Sequence, residues 1–193
     1  MFDEKRGLPW EWGDSVLTGI SASRDRTSEP GERLAVRAVR SNASPDALWL
    51  WLCQLRRAPY SYDWIDNFGK RSPRVPEPAM LELEIGQKVM TIFTLTAFDP
   101  GVSMTLRIDP GWSTRVFGAI TVTYNIVRVS ESESVLRAIL GMPRIPVLFG
   151  GFGRYMLAWG DLIMMRKQLR LLSVLAEQSE MLNEQTAIDE GTS

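Results

Sequence analysis

The sequence predicts an α+β fold in which a curved antiparallel sheet of six or seven strands wraps around one long C-terminal helix. Residues 92–129 alternate apolar and polar side chains with period two, whereas residues 154–180 place apolar side chains at spacings of three and four. The turn sequences DPG at 99–101 and DPGWS at 109–113 divide the alternating region into successive strands. This order predicts a meander of strands followed by a helix that covers one face of the sheet.

The composition is that of a single domain with a substantial core. The chain has 193 residues, of which 45% are hydrophobic and 23% are charged. Its formal net charge of −1 gives no electrostatic basis for binding nucleic acid. The first residues lack the apolar region of a signal peptide, and no apolar run approaches the ~20 residues that cross a bilayer. We therefore expect a cytoplasmic protein with no nucleic-acid partner and no integral membrane segment.

Three segments are predicted along the chain. Residues 1–31 form an extended N-terminal arm, whose Trp10 and Trp12 need a surface to dock on because paired exposed tryptophans are unfavourable. Residues 32–180 contain the predicted strands and helices of the main domain. Residues 181–193 are polar and acidic, which predicts a disordered tail.

Two short helices are predicted after the first strand, which is RLAVRAVRS at 33–41. Ser44 is the candidate N-cap of the first helix, and Pro45 suits its first helical position. This helix should end near Arg57, because Pro59 disfavours helix in the residue before it. The second helix is predicted over 61–68, and its C-terminus is marked by a glycine at 69.

The meander is predicted to contain strands at 92–98, 102–108, 117–129 and 134–140. Its threonines either give an inner face some hydrogen-bonding capacity or lie outside as good strand formers. The opposite faces carry larger apolar side chains, so we favour the outer position for Thr94, Thr96, Thr121 and Thr123.

The stretch APYSYDWIDNFGKRSPR at 58–74 is the most unusual in the chain, because it combines aromatic, acidic and basic residues. One interpretation is that Tyr60 and Tyr62 line a pocket, with Asp63 binding a polar group or acting as a base. The alternative is that the stretch locks a short helix onto the sheet, with aromatics in the core and acids in turns or ion pairs. We expect that the stretch mainly holds the short helix against the sheet and also supplies part of a pocket wall.

Residues 32–180 resemble the START-like, helix-grip superfamily (SRPBCC), in particular its polyketide cyclase/dehydrase-like proteins of actinobacteria. The most specific pieces of the resemblance are PYSYDWIDN at 59–67 and GDLIMMRKQL at 160–169. The resemblance implies a START-like ligand-binding domain with a cavity between sheet and C-terminal helix. Lipids, polyketides and other hydrophobic molecules are the ligands it implies.

Large side chains from all elements that face this gap are the predicted cavity lining. They are Trp51, Leu55, Tyr60, Tyr62, Phe93, Leu95, Phe117, Tyr124, Trp159, Ile163 and Met164. Asp161 on the long helix is either a catalytic base with a raised pKa, or a structural residue that pairs with a nearby arginine or lies on a solvated face. We favour the structural role, and we take Asp63 and Asp161 as the candidate catalytic residues if a reaction occurs.

The sequence contains no histidine and one cysteine. A serine–histidine–acid triad is therefore excluded, and we expect no metal and no cofactor. The favoured function is binding of a hydrophobic small molecule: a lipid, a polyketide or an aromatic compound. The alternative is a cofactor-independent cyclase or dehydratase that uses a carboxylate or tyrosine in the same cavity. A homodimer is compatible with either function.

Overall fold

Seven strands form one sheet, in the order β1-β2-β7-β6-β5-β4-β3. The computed structural model describes residues 7–13, 32–61, 71–143 and 151–191. Five neighbouring pairs are antiparallel, and the edge strand β1 runs parallel to β2. The predicted antiparallel sheet of six or seven strands is confirmed, with seven strands and with the short edge pair of β1 and β2 as its one parallel pair among the described residues. Its strands are β1 (Glu11–Trp12), β2 (Arg33–Ser41), β3 (Lys88–Val89), β4 (Phe93–Asp99), β5 (Ser103–Ile108), β6 (Thr121–Arg128) and β7 (Ser134–Met142).

Three α-helices and two 3₁₀ helices are described in those ranges: α1 (Pro45–Cys53), a 3₁₀ helix at Gln54–Arg56, a second at Pro78–Leu81, α2 (Trp112–Phe117) and α3 (Gly151–Gly191). The long helix α3 packs against β2, β7 and α1. The second short helix predicted from residue 61 falls almost wholly outside the described residues.

The turn between β2 and α1 is bound to the far end of α3. The Ser44 side chain accepts a hydrogen bond from the Ala47 amide, as an N-cap should. The amide of Ser44 donates to the carboxylate of Glu180 at 3.0 Å, and that of Asn42 donates to Glu177 at 2.8 Å. Two carboxylates therefore lie at the N-terminus of α1, where the helix dipole favours negative charge.

The core lies between α3 and the concave face of the sheet. Registers across four antiparallel pairs put Arg37, Ala138, Tyr124, Met104 and Phe98 in one row, on the face towards α3. The opposite face carries the threonines, as expected, and the Thr105 and Thr123 hydroxyls are 3.2 Å apart there. All nine residues of β7 are buried, because it lies between β2 and β6 in the middle of the sheet.

Two local predictions need correction. The turn at 109–113 does not join two strands directly, because the short helix α2 follows it, and β6 begins at Thr121 rather than at Phe117. The hydroxyls of Ser113 and Thr114 both donate to the Asp109 carbonyl and hold the first turn of α2.

The C-terminal helix is longer than predicted. It continues to Gly191, so residues 181–191 are helical rather than a disordered tail. No proline and no glycine before Gly191 interrupts this part of the sequence, and Ser179 and Glu180 are fixed by bonds to Trp51 and Ser44. The acidic composition predicts the wrong C-terminus for the helix, because glutamate supplies much of that acidity and is also a good helix former.

The part of the arm that the structure describes adds an edge to the sheet. The Val36 amide donates to the Trp10 carbonyl at 2.7 Å, and Trp10 is buried in the core cluster. Gly13 follows β1 with a φ of +113°, and a Cβ atom there would lie 2.1 Å from the Ala38 carbonyl oxygen. The arm therefore docks on β2, and the Trp12 ring lies against the guanidinium groups of Arg166 and Arg170 of α3.

Gly13→Ala should detach β1 from β2, because the added methyl group would collide with backbone rather than with a flexible side chain. The measurement is hydrogen exchange at the Val36 amide, which should lose protection. Gly7→Ala is the matched control, since Gly7 also has positive φ but open space around it. Unchanged protection of Val36 in Gly13→Ala would contradict this packing.

Candidate functional site

A buried ion pair joins the sheet to the first half of α3. Arg37 on β2 has no solvent exposure, and its guanidinium lies 3.2 Å from the carboxylate of Asp161, which keeps 15% side-chain exposure. The guanidinium also donates to the carbonyls of Trp10 at 2.8 Å and Ala158 at 3.4 Å. Of the two structural alternatives for Asp161, the structure shows the ion pair, with a partner from β2 rather than an arginine of α3 itself.

Burial dominates the electrostatics of this pair. Desolvation raises the pKa of Asp161 to about 6, although the charge and hydrogen bond of Arg37 act in the opposite direction. Desolvation also lowers the pKa of Arg37, against the effect of Asp161. A pKa of about 6 leaves the carboxyl of Asp161 a better proton acceptor than an ordinary aspartate.

A second set of buried hydrogen bonds joins the sheet, α3 and the Pro59 carbonyl. The Tyr124 hydroxyl donates to Gln168 Oε1 at 2.7 Å, and Gln168 Nε2 donates to the Pro59 carbonyl at 2.5 Å. Tyr124 is fully buried and Gln168 nearly so. Burial raises the pKa of Tyr124, and the charge of Asp161 raises it further, so the phenol stays neutral. The two most specific segments of the sequence, 59–67 and 160–169, meet at the bond between Pro59 and Gln168.

Two segments that contact the Gln168 side chain contain strained backbone. Tyr60 has a φ of 53° and Met90 a φ of 48°, although neither is glycine. Tyr60 follows the carbonyl that Gln168 binds, and the Met90 sulfur lies 3.3 Å from Gln168 Nε2. Strained residues of this kind persist where surrounding contacts hold them, and they cluster at functional sites.

Five of the predicted lining residues are fully buried in one core cluster: Trp51, Leu55, Tyr60, Leu95 and Tyr124. The rings of Trp51 and Tyr60 meet edge to face, with centroids 6.0 Å apart. Phe93 and Phe117 are partly buried against the same core, and Trp159 is half-buried beside Tyr155. The interior therefore combines large buried apolar side chains with a neutral phenol and an amide.

Two predicted lining residues do not face the interior. Ile163 is 53% exposed and Met164 is 37% exposed. Each residue of an α-helix is rotated about 100° from the one before. Leu162 and Met165 point at the sheet, so the two residues between them point away from it.

Tyr62 and Asp63 lie outside the described residues, so their roles stay predictions. Arg37 and Gln168 were not among the predicted site residues. Gln168 lies three residues after Met165, on the apolar stripe of α3, and a polar side chain on such a stripe is the signal that could have identified it. Cys53 is buried in α1, and burial raises its pKa to about 12, so its thiol stays protonated.

No family model and no curated protein matches the chain. Among solved structures, a protein from Thermobifida fusca studied by solution NMR matches 75% of this chain and 93% of its own, with 11% identity and a TM-score of 0.50. The Zhui aromatase/cyclase from a Streptomyces species matches 76% of this chain and 94% of its own, with 14% identity and a TM-score of 0.49. A START superfamily protein from Mycobacterium smegmatis matches 77% of this chain and 99% of its own, with 17% identity and a TM-score of 0.46.

At these identities the likeness concerns the fold alone. A curved, mostly antiparallel sheet wrapped on a long C-terminal helix is the helix-grip architecture, so the predicted helix-grip fold is confirmed. Among the helices that the structure describes, none is both long enough and apolar enough to cross a membrane.

The Asp161 carboxyl should titrate with a midpoint near pH 6 in the folded protein, against about 3.9 for an unfolded aspartate. Because the folded state binds this proton more tightly, the stability it contributes is present below about pH 4 and is lost as pH rises through about 6. Carbon-13 NMR of the carboxyl carbon measures the midpoint directly, and Asp161→Asn identifies the signal. A midpoint at or below pH 4 would show that Arg37 outweighs the desolvation.

Proposed function

We propose that the chain binds a hydrophobic small molecule carrying one hydrogen-bond donor, held between the concave face of the sheet and α3. The observation that carries this proposal is the hydrogen bond from Tyr124 to Gln168, set among fully buried apolar side chains. A core that only needed packing would not require a phenol and an amide at this depth, where polar groups are costly unless bonded.

The apolar part of the ligand would contact the inner surface of β4, β5 and β6. Leu95, Leu106 and Val122 face α3 there in one row, beside Met104 and Tyr124. Methionine adapts to irregular shapes, which suits a site for a bulky apolar molecule.

The polar part of the ligand would meet the hydroxyl of Tyr124. This hydroxyl uses its proton on Gln168, so its lone pairs are left to accept a hydrogen bond. The phenol stays neutral because burial raises its pKa. A hydroxyl or phenol group on the ligand matches this acceptor better than a carboxylate does. An ionised carboxylate has no proton to donate, so its oxygens would be repelled by the lone pairs of the Tyr124 oxygen. Polyketides and hydroxylated aromatics carry such groups, in agreement with the resemblance of segments 59–67 and 160–169 to polyketide cyclase/dehydrase-like proteins.

The second candidate function is a cofactor-independent cyclase or dehydratase. It is favoured by the pKa of Asp161, which lies near 6, and by the electrostatic influence of Asp161 on Tyr124. Arg37 and Tyr124 face α3 from the same row of the sheet, two strands apart, with the small Ala138 between them. Binding remains the preferred function, because the carboxylate of Asp161 is already bonded to Arg37.

Native mass spectrometry of the purified protein should reveal a bound organic molecule of low mass. Tyr124→Phe keeps the ring and removes the hydroxyl, so it should weaken binding of the released and identified compound about fivefold to tenfold, the effect of one hydrogen bond. Thr123→Val, a change on the opposite face of β6, should leave the affinity unchanged. Equal affinity of Tyr124→Phe and the wild type would remove Tyr124 from the site.

If the chain is an enzyme, turnover of polyketide or aromatic substrates should survive EDTA. It should fall at least ~100-fold in Asp161→Asn or Asp63→Asn, the lower range for loss of a general base. Thermal unfolding of each variant must accompany the assay, since Asp161→Asn also leaves the Arg37 charge without its carboxylate. Full activity in both folded variants would exclude these two carboxylates as the base.

A further inference from the structure

A groove of about 530 Å³ lies on the outward side of α3, away from the sheet. Basic side chains dominate its polar lining: Arg166, Lys167 and Arg170 come from α3, and Arg74 comes from the segment that follows residue 70. Cations from two separate segments therefore converge on one concave surface. The net charge of the chain is −1, so this concentration of positive charge is local.

The same groove has an apolar floor. Ile163, Leu171 and Val174 line it. Ile163 is 53% exposed and Val174 is 45% exposed, while Leu171 packs against the core. Aliphatic side chains that line one exposed concave surface offer a contact for the apolar part of a ligand.

Two arginines of the groove stack on an aromatic ring, and the arginines of the groove form no ion pair with a described carboxylate. The guanidinium groups of Arg166 and Arg170 lie over the Trp12 ring, at 5.5 and 5.2 Å from its centroid. Within the part of the chain that the structure describes, no carboxylate forms an ion pair with Arg74, Arg166 or Arg170. Their donors are therefore available to an anion from outside the chain.

We propose that this groove binds a single anionic amphiphile, a molecule with one carboxylate or phosphate head and an apolar tail. The head would lie among Arg74, Arg166 and Arg170, and the tail would cover Ile163 and Val174. The site is separate from the interior one, because Asp161 and Gln168 project from the opposite side of α3.

A dissolved molecule fits this groove better than a bilayer surface does. The volume is that of a site for one small ligand, roughly 300–1,000 Å³. Further along α3, Glu184 and Asp189 are exposed and would be repelled by an anionic membrane.

The test is calorimetric titration with laurate below its micelle concentration, with dodecanol as the uncharged probe of equal tail length. Laurate should bind, and the double variant Arg166→Gln/Arg170→Gln should lose at least about tenfold in affinity, the effect of one charge-assisted hydrogen bond. Arg128→Gln is the matched control, since Arg128 is exposed at the end of β6, outside the groove. Added salt should weaken the binding, because the site is exposed.

Methyl NMR of the wild type locates the probe without any variant. Laurate should shift the resonances of Ile163 and Val174, and Tyr124→Phe should leave its affinity unchanged, which separates this site from the proposed interior one. Four results would overturn the proposal: no laurate binding, equal affinity for dodecanol, unchanged affinity in the double arginine variant, or binding only to phosphatidylglycerol vesicles.

Discussion

A guanidinium group buried inside a protein needs hydrogen-bond acceptors, and the terminal nitrogens of Arg37 find theirs on three parts of the structure. Arg37 belongs to β2, donates to the Trp10 carbonyl of the N-terminal arm, and donates to Ala158 and Asp161 of α3. These hydrogen bonds tie the arm, the sheet and the helix to one side chain. Desolvation acts against both charges, so the pair contributes specificity of arrangement more than stability.

The position of α3 then determines which polar side chains enter the interior and which contact the turn before α1. Gln168 lies two turns after Asp161 on the same helix, which brings its amide to the Tyr124 hydroxyl and the Pro59 carbonyl. Beyond it, Glu177 and Glu180 bind the turn before α1. Three sets of polar contacts along one helix hold the concave face of the sheet at a defined separation from α3, and the proposed ligand would occupy the apolar region between them.

Local signals in the sequence predict the elements well and the site only in part. Periodicity and capping residues define β2 and the start of α1, because both depend on neighbours within a few residues. The partner of Asp161 is 124 residues away, and no local pattern specifies such a pairing. The hydrophobicity of Ile163 suggests the interior, whereas its position on the helix turns it outward. Phe117 ends a short helix rather than beginning a strand, because the residues after Asp109 suit both a turn and a short helix.

The most direct test of this account is a double-mutant cycle on Arg37 and Asp161, with the free energy of unfolding measured at pH 7. Arg37→Met or Asp161→Leu alone leaves one buried charge without its partner and should cost about 3–5 kcal/mol. The combined variant removes both charges and should be more stable than either single variant. Losses that simply add in the double variant would mean that the two side chains act independently, and that the arm, the sheet and α3 are held together by other contacts.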